Sequence, residues 1–133
     1  MSVSDLPASE PGLDFAADVF ERACPSRDVI HTVTGRWGTL ALVALGEGPY
    51  RFSALRRRVD GVSERMLSQT LQQLERDGFV HRDVQETIPP KVEYTLTARG
   101  VQVAAQLQSL IDLVEAQMPD ILTDQAAYDA RHP

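Results

Sequence analysis

The sequence predicts a mainly α-helical fold carrying one small β-hairpin, and three features predict it. A sixteen-residue stretch, Ser63 to Gly78, repeats apolar residues at helical intervals between a capping serine and a terminating glycine. Directly after it the period changes from helical to alternating, in two short runs joined by a Pro-Pro loop. A long apolar helical stripe then closes the pattern. The chain has 133 residues, 43% of them hydrophobic, enough for one domain with a real core and loose ends.

In order, residues 1–12 are Pro-, Ser- and acid-rich and predict a disordered tail. The domain is expected over 13–118. Leu13, Ala16, Ala17 and Phe20 share a face, which predicts a short helix from Leu13 to Ala23. Pro25 suits the first turn of a second helix over Ser26 to Val33, closed by Gly35. Arg36 to Leu45 is apolar nearly all round and reads as the central core helix. Gly46-Glu47-Gly48-Pro49 is a turn, and Tyr50-Arg51-Phe52 a very short strand.

Ser53 to Val59 reads as a helix with Phe52, Leu55 and Val59 inward and Arg56, Arg57 and Arg58 on its outer side. Asp60-Gly61-Val62 is a turn into the Ser63 helix, whose Leu67, Leu71 and Leu74 face inward, widened by Met66. Phe79 to Val84 and Val92 to Leu96 read as the hairpin strands, with 85–91 between them. Thr97 caps a last helix, Ala98 to Met118. Its stripe of Val101, Ala104, Leu107, Ile111, Val114 and Met118 is too long for a small monomer to cover, which predicts packing against a second copy. Pro119 is expected to end that helix, leaving 119–133 as a flexible tail.

Helix, three-residue turn, helix, hairpin is the order of a winged helix-turn-helix. The outer side of the Ser63 helix carries amides and guanidinium groups in place of the usual Lys/Glu mixture. Such side chains make paired hydrogen bonds to base edges in a major groove. Arg65, Ser68, Gln69 and Gln72 are the candidate base readers. Arg56, Arg57, Arg58, Ser63 and Arg76 are the candidate phosphate contacts, and Gln85, Thr87 and Lys91 ride the wing. A solvated amphipathic helix is the bland alternative.

The charge distribution agrees with a nucleic-acid partner although the sum does not. The formal net charge is −6. From Arg36 to Arg99 there are ten basic and eight acidic residues, and elsewhere three basic and eleven acidic. Twelve of the thirteen basic residues are arginine, which favours forked contacts to phosphate or guanine. The acidic total favours instead a winged-helix protein-interaction module that binds no DNA.

At this point the chain resembles the HxlR-type transcriptional regulators, a branch close to the MarR regulators. The matching residues are Cys24-Pro25, Gly35-Arg36-Trp37, Gly48-Pro49-Tyr50-Arg51-Phe52, Leu55-Arg56, Ser63-Glu64-Arg65-Met66-Leu67, Leu74-Glu75-Arg76-Asp77-Gly78 and the run from Pro89 to Thr97, PPKVEYTLT. The resemblance as a whole runs from about Cys24 to Ile111. Gly38-Thr39 departs from the bulkier or more polar pair expected after the tryptophan. The resemblance implies a homodimeric bacterial regulator, repressor or activator, joined through terminal helices and binding near-palindromic double-stranded operators. The dimer seam would hold Leu13, Phe20, Val101, Leu107, Ile111, Val114 and Met118.

It also implies that Cys24 senses electrophiles or oxidants. Cys24 precedes a helix start, where the dipole favours thiolate, and Arg22 and Arg27 are near in sequence. Inert packing of a small hydrophobe is the competing reading. As the chain's one cysteine, Cys24 has no intrachain partner. A second possible effector is a small apolar molecule in a pocket between the dimer helices and Trp37.

No catalytic constellation, metal-ligand spacing or phosphate loop is legible, so no enzyme and no cofactor is expected. His31, His81 and His132 show no ligand spacing. The first residues, MSVSDLPASEPG, lack the basic and apolar segments of a signal peptide, and no apolar run is long enough to span a bilayer. A soluble, cytoplasmic bacterial protein, on the nucleoid when bound to DNA, is expected.

Overall fold

The structure is a computed structural model and describes residues 15–133. It falls into two compact units, residues up to 31 and residues 32–133.

In the first unit residues 15–24 form no helix or strand, with turns over 19–23. The helix expected from Leu13 to Ala23 is absent over 15–23, and its first two residues lie outside the described part. Local polar contacts explain the difference. Phe20 N donates to Asp18 Oδ1 at 3.2 Å, an Asx turn that competes with helix. The Arg27 guanidinium takes the carbonyls of Val19 and Phe20 at 3.0 and 2.9 Å. Helix α1 then runs Pro25–Thr34, with proline in its first position.

The second unit is built on α2 (Arg36–Leu45), which packs against α3 (Phe52–Arg58), α4 (Glu64–Arg76), β3 (Lys91–Leu96) and α5 (Ala98–Arg131). Ala41, Leu42, Leu55, Leu67, Leu71 and Leu74 are at most 1% exposed, so the helices predicted from period supply the core. The Gly38-Thr39 departure has a packing reason. A Cβ at Gly38 would strike the Thr32 carbonyl, and Thr39 Oγ1 donates to Val33 O at 2.7 Å, so glycine and threonine let α2 pack closely on Thr32 and Val33 of its own unit.

Strands β1 (Tyr50–Arg51), β2 (Val80–Gln85) and β3 form an antiparallel sheet in the order β1-β3-β2. Tyr50 lies opposite Tyr94, and Tyr94 opposite Arg82. Beyond β1 the sheet is the predicted two-stranded wing.

The α4–β2 junction is closed tightly. Gly78, at φ +82°, adopts the left-handed conformation that glycine favours. Gly78 N donates to Glu75 O and Phe79 N to Leu74 O, the paired bonds that satisfy the last carbonyls of a helix. Thr97 caps α5, its Oγ1 accepting from Gly100 N and donating to Gly78 O at 2.6 Å.

Helix α5 departs from expectation at its far end. It continues through Pro119 to Arg131, where a tail was expected. The proline forfeits one backbone bond. No glycine follows it, good helix formers such as Gln125, Ala126 and Ala127 do, and Thr123 Oγ1 donates to the Pro119 carbonyl at 3.1 Å. The helix buries only Gly100, Ala104 and Leu107. Leu107, expected at a seam between copies, is therefore spent in the chain's own core. Val101, Leu110, Leu113 and Val114 remain exposed, and Ile111 and Met118 half-buried.

Candidate nucleic-acid interface

Helix α4 has two chemically distinct sides because its sequence alternates them at helical spacing. Leu67, Leu71 and Leu74 anchor one side in the core. Arg65, Gln69 and Gln72 stand exposed on the other, with Ser68 half-buried at its edge. Ser63 caps the helix, accepting from Met66 N at 3.1 Å. Gln73, half-buried, donates to both Asp77 carboxylate oxygens at 3.1 and 3.2 Å, which commits its amide nitrogen within the helix end. Met66, read as part of the buried face, is 42% exposed and belongs to the outer surface near the helix start. Its place beside the capping turn, where the helix first meets the core, is why the apolar type misled.

Arg56 and Arg57 are exposed on α3 and line an open groove with Ser53, Asp60, Ser63 and Glu64, in front of the α4 N-terminus. Arg56 Nε also reaches Val62 O at 3.4 Å, across the turn. Gly61 in that turn has φ +90°, a conformation that a side chain would strain.

Arg58 does not join this group. Its guanidinium grips Glu47 at two points, Nε–Oε1 at 2.8 Å and Nη2–Oε2 at 2.7 Å. The Arg58 fork and the Tyr50 hydroxyl hold the Glu47 carboxyl below its usual range. Arg58, expected as a phosphate contact, is instead paired with Glu47 at the surface, its own side chain 55% exposed. The partner lies eleven residues away in the 46–49 turn, and no local sequence signal marks it. Arg76 is exposed at the end of α4, with Asp77 Oδ1 at 4.0 Å.

On the wing, Lys91 is exposed opposite half-buried Gln85. Thr87 Oγ1 donates to Pro89 O at 2.7 Å, which commits that hydroxyl to shaping the tip. The tip presents Ile88, fully exposed. Arg82 is exposed on β2, a cation the motif reading passed over because it lies inside a strand.

Cys24 is 7% exposed. Its Sγ lies 3.0 Å from Ser26 Oγ and accepts from Asp18 N at 3.4 Å. The Ser26 hydroxyl and then the Asp18 amide hold the thiol below its usual pKa, outweighing burial, which pushes it up. Arg27 contributes through its backbone amide, since its guanidinium is given to Val19 and Phe20.

An apolar cleft of about 470 Å³ lies between the end of α2, the 46–49 turn, β3 and the start of α5, lined by residues that include Val43, Leu96, Val101, Ala104 and Gln108. It differs from the pocket beside Trp37 that was expected. Among the described residues no group of three or more His, Cys, Asp or Glu is arranged to hold a metal ion, and no helix is long and apolar enough to cross a membrane.

This geometry coincides with a known group of proteins. Residues 32–121 match the family described as HxlR-like helix-turn-helix. The chain is 51% identical over 105 residues to the HTH-type transcriptional regulator YtfH of Escherichia coli strain K12, covering 79% of this chain and 83% of that one. Among solved structures it is similar to the transcriptional regulator ytfH of Salmonella typhimurium, with a TM-score of 0.78 and 48% identity over 84% of this chain and 99% of that one. It is also similar to the redox regulator HypR in its oxidized form, with a TM-score of 0.64 and 33% identity over 70% of this chain and 96% of that one. The chain therefore belongs to the HxlR-like helix-turn-helix family, and it is a transcriptional regulator with a winged helix-turn-helix domain.

Proposed function

We propose that two copies of this chain bind a near-palindromic DNA operator, each laying α4 in the major groove, and that the dimer represses transcription. The observation that carries this reading is the outer side of α4. A helix locked to the core by three leucines at most 1% exposed presents Arg65, Gln69 and Gln72 to the outside. These side chains, with Ser68, read base edges. Arg56, Arg57, Arg76 and the Ser63 end of α4 hold phosphates, and Lys91 and Gln85 bring the wing to the adjacent groove. Arg58 is left out of the phosphate set because Glu47 already occupies it.

The second copy covers the apolar part of α5 that this chain leaves open, Leu110, Leu113 and Val114 with Ile111, Met118 and Val101. Phe20, 88% exposed in the first unit, is a seam candidate in its own right. Leu13, the remaining seam candidate, lies outside the described residues. DNA binding places the protein in the cytoplasm, on the nucleoid.

Cys24 makes the repressor responsive to electrophiles or oxidants. The lowered thiol pKa supports this, as does the likeness to a relative named as a redox regulator. With no second cysteine, the chemistry is a disulfide between copies, an adduct with a small thiol, or alkylation. A second effector reading, a small apolar molecule, is favoured by the cleft between α2, β3 and α5.

The test is a gel shift on the duplex upstream of the protein's own gene, repeated across salt concentrations. Tight, salt-sensitive binding by a dimer is expected. Binding that salt does not weaken, or no binding, contradicts the proposal.

A further inference from the structure

The pair between Glu47 and Arg58 has a position that its energetics do not explain. The side chains are 44% and 55% exposed, and pairs so open to water contribute little to stability. Yet the contact is two-pointed, and Tyr50 Oη donates to the same carboxylate at 3.0 Å.

Its topology is informative. Tyr50 and Arg51 form β1, and α3 starts at Phe52 with no residue between. The N-terminal end of α3 is therefore fixed to the sheet by the chain itself. Arg58, the last residue of α3, is tied back to Glu47, three residues before β1. The far end of the helix is thus tied to the turn that leads into β1, and through Glu47 to the Tyr50 hydroxyl of that strand. Five residues after Arg58, Ser63 caps α4, and the same sheet continues into the wing through the Tyr50–Tyr94 pairing. A helix of seven residues is about 10 Å long, so a tilt of about 10° at its start moves its far end by about 2 Å. Such a shift separates a side chain from its base edge.

We propose that Glu47 is a positioning residue for DNA recognition: with Arg58 and Tyr50 it locks α3 to the wing sheet, so that α4 and the wing keep one spacing and engage the same stretch of duplex. Glu47 touches no DNA. This inference rests on the DNA-binding reading above.

The test uses the full chain and hydroxyl-radical footprints on the bound upstream duplex, with dimethyl sulfate protection for the major groove. Glu47→Gln and Arg58→Ala are each expected to lose protection at the wing position while keeping that of α4. Affinity falls about tenfold, on the scale of coupling between neighbouring residues. The double variant is no worse than either single one, the swap Glu47→Arg/Arg58→Glu recovers wing protection, and melting temperatures stay close to that of the parent. Footprints unchanged in both single variants overturn the proposal. So does a loss of both protections that tracks a fall in melting temperature, which marks the pair as merely structural. A steeper salt dependence in Glu47→Gln with a shallower one in Arg58→Ala also overturns it, since Arg58 would then be a phosphate ligand that Glu47 masks. Absence of any protection with the parent protein contradicts the DNA-binding reading itself, and this inference with it.

Discussion

Gly100→Ala probes how closely α5 is fitted to the recognition unit. An added Cβ would strike the Phe79 carbonyl oxygen and stand 3.2 Å from Leu96 Cδ2. The carbonyl cannot move freely, because it accepts from Thr97 N at 3.0 Å, while Thr97 Oγ1 donates to the adjoining Gly78 carbonyl at 2.6 Å. The first turn of α5 must therefore lift away. Weakening two hydrogen bonds costs about 1 kcal/mol each, and overpacking a further 1–3 kcal/mol, roughly. Alanine's better helix propensity returns about 1 kcal/mol. The net is a destabilisation of about 2–4 kcal/mol, or a fall in melting temperature on the order of 10 °C for a domain this small. The assay is thermal unfolding by circular dichroism at fixed protein concentration, because association shifts apparent stability. Gly46→Ala is the control: its φ of −64° suits any residue, and its Cβ would meet Val43 O at 3.1 Å. That variant should change stability by less than about 1 kcal/mol. A Gly100→Ala protein melting at or above the parent would refute the close-approach argument.

Further outcomes follow from the same geometry. Ser63→Ala removes the cap on Met66 N and should cost about 1 kcal/mol of stability together with some DNA affinity, read by melting and gel shift. Arg57→Ala should weaken all duplexes alike and lower the salt slope by about one; a selective loss for the operator would contradict its phosphate role. Alkylation of Cys24 by iodoacetamide should rise with pH around a midpoint below the ordinary thiol value of about 8.5. Ser26→Ala removes the main contact favouring the thiolate and so should move that midpoint up; a midpoint that stays put would remove Ser26 as the cause. Diamide should release the parent protein from DNA but not Cys24→Ser, and equal release of both would end the thiol reading.

Much of this fold is legible in the sequence because its signals are local. Leucines at helical spacing, a capping serine and a closing glycine delimit α4 to within two residues, and alternation of Val92, Tyr94 and Leu96 marks β3. What stays hidden is set by contacts distant in sequence or by competition. The Arg58–Glu47 pair joins the end of α3 to the 46–49 turn, which no periodicity relates. Asp18 and Arg27 convert a helical pattern around Phe20 into turns by taking its backbone groups. Pro119 reads as a stop, but it interrupts one bond in a helix of 34 residues whose neighbours favour continuing. At the candidate interface, residue type and spacing mark Arg65, Gln69 and Gln72 as outward, whereas the exposure of Met66 depends on packing and the orientation of Gln73 on its bond to Asp77.

The most direct measurement is the ratio of operator to non-operator affinity for Gln69→Ala beside the parent protein, at one salt concentration. If α4 reads bases, that ratio falls by the worth of a paired base contact, about 1–3 kcal/mol, while non-operator binding stays the same. An unchanged ratio would mean that the exposed side of α4 does not select the sequence.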